Sequence, residues 1–366
     1  MIDRRLFTNF DWTLCWLVAL IAVIGVINIY SASASYRMIG TPFFIKQIYW
    51  ITAGLLLSVI VCSIDYHILE DLAYWIYGAL LVLLILVLVV GKTSMGATRW
   101  LHLGLFSIQP SEPMKIVIIA VFARFFSNRS YNQSIGLREL GYPFLLLGVP
   151  VLLIMKQPDL GTAILVLLIV CSMVLYVGVR WTTLVSLCLA AIPAIFLGWH
   201  NFLREYQKER ILNFLNPDRD PLGSGYHIIQ SKIAVGSGGI LGKGYLNGTQ
   251  SHLRFLPEQH TDFAFSVFAE EWGFIGCLFV LLLYLILILW GLNIASRCND
   301  RFGTLLAVGV SAMLFWHILI NMGMVIGLFP VVGVPLPFFS YGGTSMITSM
   351  IGVSILLNIS MRRFMF

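Results

Sequence analysis

Asp262 closes the polar stretch LPEQHTDF (256–263), directly ahead of a long apolar run that begins at Phe263. A carboxylate at such a boundary has two chemistries open to it. It can accept hydrogen bonds from the free backbone N–H groups of a helix start and meet the positive end of the helix dipole. It can also act as general base toward a hydroxyl held within hydrogen-bond reach. The residue three positions on is Phe265, so no capping box is completed. Position alone leaves both roles open, and they are compatible. Other ionisable residues stand in apolar surroundings. Glu112 and Lys115, in QPSEPMK (109–115), are spaced i, i+3 and share one helix face within reach of each other. Just upstream, GATRWLHLG offers Arg99 and Trp100 at the outer surface, where a tryptophan also serves as an interfacial anchor. Glu270 and Glu271 follow Asp262 by eight and nine residues. At about 100° per residue, Glu270 lies roughly 80° round a helix from Asp262 and Glu271 nearly opposite, so Glu270 is expected to face the same cavity. A charge inside an apolar span costs roughly 2.5–3.5 kcal/mol on insertion scales, which makes each of these a candidate functional residue.

The elements that must position these groups follow from composition. The chain has 366 residues, 59% of them hydrophobic and 11% charged, with a mean hydropathy of +0.89. Soluble domains lie far from these values, and an all-α integral membrane protein is expected. A bilayer core of about 30 Å takes roughly 20 apolar residues per helical crossing. Ten spans qualify, near 11–31, 44–64, 72–91, 112–126, 141–155, 160–179, 183–199, 263–294, 304–328 and 339–359, within a single polytopic domain covering 1–366. Arg4, Arg5 and Ala32-Ser33-Ala34 imitate a secretory signal, but the apolar stretch between them is too long for one. Lys and Arg set the orientation: ten fall on inner segments and five on short outer loops if both termini are inside. The net charge of +6 then reflects topology and anionic lipid, with nothing pointing to nucleic acid.

The segment 200–261, between the seventh and eighth spans, becomes a large extracytoplasmic loop. Its start, NFLREYQKERILNFL, interleaves Phe202, Tyr206, Ile211 and Phe214 with Arg204, Lys208 and Arg210, the pattern of an amphipathic interfacial helix. GSGGILGKG (236–244) fails the Walker pattern at both ends, so its glycines are expected to serve tight turns and close backbone approach. GLFPVVGVPLPFFSYGGTS (327–345) forbids a continuous helix and is expected either to line a binding cavity, where irregular backbone is tolerated at membrane depth, or to be an ordinary outer loop, with Ser340 among its candidate binding groups. There is no HExxH or GxSxG, and none of the seven lysines has a serine three positions before it, so acyl-enzyme chemistry of the SxxK kind is absent. His252, His260 and Glu258 match no standard metal spacing, and the six cysteines show no CxxC.

GATRWLHLG, QPSEPMK, KQPDLGTA, DPLGSGYHIIQSKIAVGSGGILGKG, LPEQHTDF and VVGVPLPFFSYGGTS together resemble the SEDS family of shape, elongation, division and sporulation proteins, from the first span to the last. The resemblance implies a ten-helix glycosyltransferase of the bacterial inner membrane that polymerises lipid II on the outer face. The donor would be a glycan chain on undecaprenyl pyrophosphate, the acceptor the 4-hydroxyl of an incoming lipid II, and the essential carboxylate the HTDF aspartate, here Asp262. A pyrophosphate leaving group calls for cations, and Arg99, Lys115, Lys156, Arg210, Lys232 and Lys243 are the candidates, with a divalent cation possible. A chain without SxxK chemistry needs a crosslinking partner, which the resemblance makes a class B penicillin-binding protein alongside other elongation-complex membrane proteins. A lipid II flippase is the competing expectation; the carboxylate at the outer mouth and the long outer loop favour the polymerase.

Overall fold

The computed structural model describes residues 10–34, 41–94, 97–103, 106–128, 135–203, 205–216, 219–220, 224–253, 255 and 258–363; Arg4, Arg5, Arg37, Arg129 and Arg204 lie outside them. The chain order is α1 (Trp12–Ser33), α2 (Phe43–Ser63), α3 (His67–Val90), β1 (Lys92–Ser94), β2 (Ala97–Leu103), β3 (Phe106–Ile108), α4 (Ser111–Ser127), α5 (Gly141–Lys156), α6 (Leu160–Val177), α7 (Trp181–Leu197), α8 (Glu205–Leu215), α9 (Ser224–Gly238), α10 (Thr249–His252), α11 (Ala264–Ser296), α12 (Arg301–Val325) and α13 (Gly343–Arg362). Among the described residues, nine helices are long and apolar enough to cross a membrane. The tenth expected span is α4, whose 17 residues reach only about 26 Å. Every expected span is met by a helix whose ends fall within five residues of it. The sequence reading did not anticipate the three-stranded antiparallel sheet β1-β2-β3, which carries Arg99 and Trp100 on its middle strand.

The chain forms two compact units. The first comprises Met1–Ile64, Glu209–Asn293 and Leu314–Met365, and the second Asp65–Lys208 with Ile294–Met313. In the first, α13 packs along α2, and α2 along α1. Small residues permit the approach, as expected where apolar burial gives no advantage over lipid. Gly54 lies against Met350, and a Cβ at Gly25 would stand 2.7 Å from the Phe339 backbone. In the second unit α4 is the inner helix, contacted by α3, α5 and α6, and is buried along nearly its whole length. Helix starts are capped where the sequence offers a carboxylate: Asp11 accepts from Leu14 N (3.3 Å) and Asp159 from Thr162 N (3.4 Å).

The 236–244 segment docks on a break in α11. Gly273 adopts φ +63, which interrupts the helix and leaves the carbonyls of Glu270 and Glu271 to be met from outside. Lys243 N and Gly244 N donate to them at 3.0 Å each, and Phe274 N donates to Gly239 O at 2.9 Å. The approach is so close that a Cβ on Gly242, itself at φ +79, would overlap the Glu271 carbonyl. Gly238, Gly239, Gly242 and Gly244 therefore serve tight turns and backbone contact. Gly242→Ala is expected to destabilise the protein by more than about 1 kcal/mol, because strain and overlap act together. Gly236→Ala, inside α9 with open space around it, should be neutral or slightly stabilising. Melting temperatures of the two purified variants in detergent check this; equal values would contradict the docking described.

Candidate active site

In the first unit, Asp262 lies two residues before α11, on a short irregular segment. That segment is tied down residue by residue. Gln259 Nε2 donates to Ala32 O of α1 (2.7 Å), and Tyr341 N donates to His260 O (2.9 Å). The His260 ring stacks on Phe43 of α2 with centroids 3.9 Å apart. Asn321 of α12 gives its amide to both Asp262 O (3.0 Å) and Val334 O (2.7 Å), and Asn28 of α1 gives its own to Ala264 O (2.8 Å). The carboxylate itself is half-buried, and a Cβ on Gly333 would lie 3.4 Å from Asp262 Oδ2. Gly333 thus leaves open the space beside the carboxylate.

The 326–340 stretch that includes Gly333 collects two cations from the segment between α7 and α11. Arg210 Nη1 of α8 donates to Val331 O at 3.2 Å. Lys232 of α9 is exposed, and its aliphatic stem lies against Gly327, where any side chain would overlap it. Ser231, one residue earlier, fixes α9 by hydrogen bonding to Ser266 Oγ (2.8 Å) and Val325 O (2.7 Å). His227 joins Arg210: burial, and then the nearby guanidinium, lower its pKa and favour the neutral imidazole. Burial lowers the His260 pKa as well, against the opposing pull of Glu258. Asp262, Arg210 and Lys232 are brought by the fold onto one irregular strip, with three cation- or carboxylate-bearing elements meeting it at Gly327, Val331 and Gly333.

Other predicted residues have different surroundings. Glu270 is fully buried and accepts from Lys243 Nζ (2.6 Å), Thr249 Oγ1 and N (2.9 Å each) and Gln250 N (3.2 Å). That constellation pins the 243–250 segment to α11 and uses both Glu270 and Lys243 in doing so. Glu271 accepts from Ser31 Oγ of α1. Ser340 is buried; its hydroxyl accepts from Leu336 N (3.1 Å) and its carbonyl accepts from Gln47 Nε2 (3.0 Å).

The second unit holds another polar cluster. Lys115 Nζ and Glu112 Oε1 lie 2.8 Å apart, the side chains 1% and 7% exposed, and the second Glu112 oxygen is buried with no hydrogen-bond donor. Asp159, capping α6, also accepts from Thr162 Oγ1 (2.9 Å) and Gln109 Nε2 (2.8 Å), with Arg99 Nη1 at 3.7 Å. Arg99 donates to Pro158 O, and its Nε is buried without an acceptor. Trp100 is half-buried on β2 and Lys156 is exposed at the end of α5. The sequence reading missed Asp159, Gln109, Asn321 and His227. Asp159 was legible as a polar residue opening an apolar run in QPDLGTA; the other three carry no local signal. Among the described residues, no group of three or more His, Cys, Asp or Glu could hold a metal ion.

A multi-pass helical membrane protein with an anchored carboxylate beside basic residues is the class these features define. Residues 11–364 match the model of the cell cycle protein family of FtsW, RodA and SpoVE, and the chain belongs to that family. The peptidoglycan glycosyltransferase MrdB of Escherichia coli (strain K12) is 44% identical over 321 residues, covering 87% of this chain and 85% of that protein. The peptidoglycan glycosyltransferase RodA of Treponema pallidum (strain Nichols) is 34% identical, covering 97% and 98%. A solved peptidoglycan synthase complex, described for coordinating polymerisation and crosslinking, contains a chain that superposes with a TM-score of 0.83 at 34% identity over 98% of this chain and 99% of that one. The crystal structure of the rod shape determining protein RodA of Thermus thermophilus superposes at 0.71 with 31% identity, over 97% and 98%.

The Glu112–Lys115 pair yields a stability prediction. Lys115→Met leaves a buried carboxylate without its cation and should destabilise by about 3–5 kcal/mol, whereas Glu112→Gln/Lys115→Met should recover most of that loss. Thermal unfolding in detergent reads the cycle, and a Lys115→Met protein as stable as wild type would overturn it.

Proposed function

We infer that the chain is a peptidoglycan glycosyltransferase of cell elongation, the activity its relatives are named for, and propose that Asp262 is its general base. The observation that carries the assignment is the half-buried Asp262 carboxylate on a backbone clamped by Asn28, Gln259 and Asn321, with space left beside it at Gly333. In the proposed step, Asp262 takes the proton of the lipid II 4-hydroxyl. The freed oxygen pair forms a bond to the anomeric carbon of the lipid-linked chain. The bond from that carbon to the pyrophosphate oxygen breaks, and undecaprenyl pyrophosphate leaves with the electron pair. Arg210 and Lys232 stand along the strip beside Asp262 and offset the charge that develops on the leaving group. Arg99, in the second unit and partly exposed, is proposed to meet a substrate anion as well, while Lys115, sealed against Glu112, is proposed to act through structure.

We propose an N-in, C-in orientation, with this chemistry on the outer face where the lipid II headgroup is presented; the arginine and lysine distribution supports it. A class B penicillin-binding protein is the proposed crosslinking partner. The TM-score of 0.83 with a chain of a peptidoglycan synthase complex supports such an assembly.

The test is polymerisation of labelled lipid II by the protein together with its transpeptidase partner. Asp262→Asn and Asp262→Ala should lower the rate by roughly 10²–10⁴ with lipid II binding retained, the size expected for loss of a general base. Arg210→Ala and Lys232→Ala should lower it less, and additively in the double variant. Normal polymerisation by the Asp262 variants would reduce that residue to a structural role.

A further inference from the structure

We propose that the groove between α1, α2 and α13 is a site for one anionic phospholipid, with an acyl chain in the groove and the phosphate at Arg362. The groove encloses about 1180 Å³. Its wall is apolar over most of its length, formed by residues such as Ala19, Val23, Ile51, Leu55 and Val353. Among the described residues, Arg362 is the one charged residue lining it, with Ser58, Cys62 and Ser63 also on the wall. The guanidinium is fixed in place, since Nε donates to Asn358 Oδ1 (2.8 Å) and Nη2 reaches Ser63 O (3.4 Å). Asn358 is itself anchored through its amide to Val61 O and Ile64 O.

Length and polarity select the occupant. On α1 the wall runs from Cys15 to Ile27, on α2 from Ile48 to Ser63 and on α13 from Met350 to Arg362. At 1.5 Å per residue these stretches are about 18–22 Å, short of a bilayer core about 30 Å thick. A partner's membrane helix needs a seat along the full thickness, and the groove covers only this part. The basic mouth is at the α1 end near Phe10, whereas the Asp262 segment is tied to Ala32 at the opposite end of the same helix. A lipid-linked substrate with its headgroup at Asp262 therefore carries its phosphates in the wrong leaflet for Arg362. A basic pocket among membrane helices with an apolar slot beneath it suits an anionic lipid of the leaflet at the Asp11 end.

Native mass spectrometry of the full chain, loaded from mixed micelles of equal phosphatidylglycerol and phosphatidylcholine, tests the proposal. One retained phosphatidylglycerol per protein is expected, several-fold over phosphatidylcholine. Arg362→Gln should abolish the preference while Arg362→Lys keeps it. Ala19→Phe, at an exposed position on the groove wall, should lose the lipid altogether without lowering the melting temperature. Retention that is unselective, or unchanged by Ala19→Phe, overturns the site, as does recovery of a polyprenyl lipid or a second copy of the chain in place of the phospholipid.

Discussion

The backbone around Asp262 is irregular at the edge of a membrane, where unsatisfied carbonyls have no water to turn to. Side-chain amides resolve this. Asn28, Gln47, Gln259, Asn321 and Asn358 of the first unit are all buried, and each donates its –NH₂ to a backbone carbonyl distant in sequence; Gln157 does the same to Leu84 O in the second. A neutral amide is cheaper to bury than a charge and donates two hydrogens in fixed directions. Asn321 uses both, holding the Asp262 and Val334 carbonyls at once. The strip proposed to carry the chemistry is thus fixed from helices on several sides by neutral amides.

Charge is handled in two ways. Where a carboxylate is needed for architecture it is saturated, as Glu270 is by Lys243, Thr249 and Gln250. Such a pair is worth little as net stabilisation, yet removing Lys243 leaves the buried Glu270 without its cation. Lys232 instead reaches the surface beside Gly327, which suits a group that must meet a substrate anion. Burial and Arg210 lower the His227 pKa, which favours the neutral imidazole, a ring that can donate or accept beside the guanidinium.

Much of this architecture could be read from the chain. Length and hydropathy located the ten helices to within five residues, because a bilayer imposes one length on every crossing. The i, i+3 spacing of Glu112 and Lys115 foretold their ion pair, since helical neighbours depend on local geometry alone. Glu270 was expected to face the cavity of Asp262 by continuing one helix through both residues. The helix begins only at Ala264, so that angular argument had no common axis, and Lys243 claims the carboxylate. The β-sheet escaped notice because its strands are three, seven and three residues long, too short for alternation to stand out between apolar spans. The amide crosslinks were illegible for a different reason. Asn28 and Ala264 are 236 positions apart and Gln47 and Ser340 are 293 apart, so no window of sequence contains both partners.

That non-local scaffolding has a consequence for catalysis. A general base works only when its oxygen stands within hydrogen-bond distance of the reacting proton, and a displacement near 1 Å can cost about 10²-fold in rate. Asp262 owes its position to α1 through Asn28 and Ala32, to α2 through the Phe43–His260 stack, and to α12 through Asn321. None of these groups needs to touch substrate, yet each sets where the carboxylate lies. A short irregular segment held from three helices keeps the proposed base fixed while leaving Gly333 open beside it, an opening that a regular helix running through Asp262 would fill with its own turns.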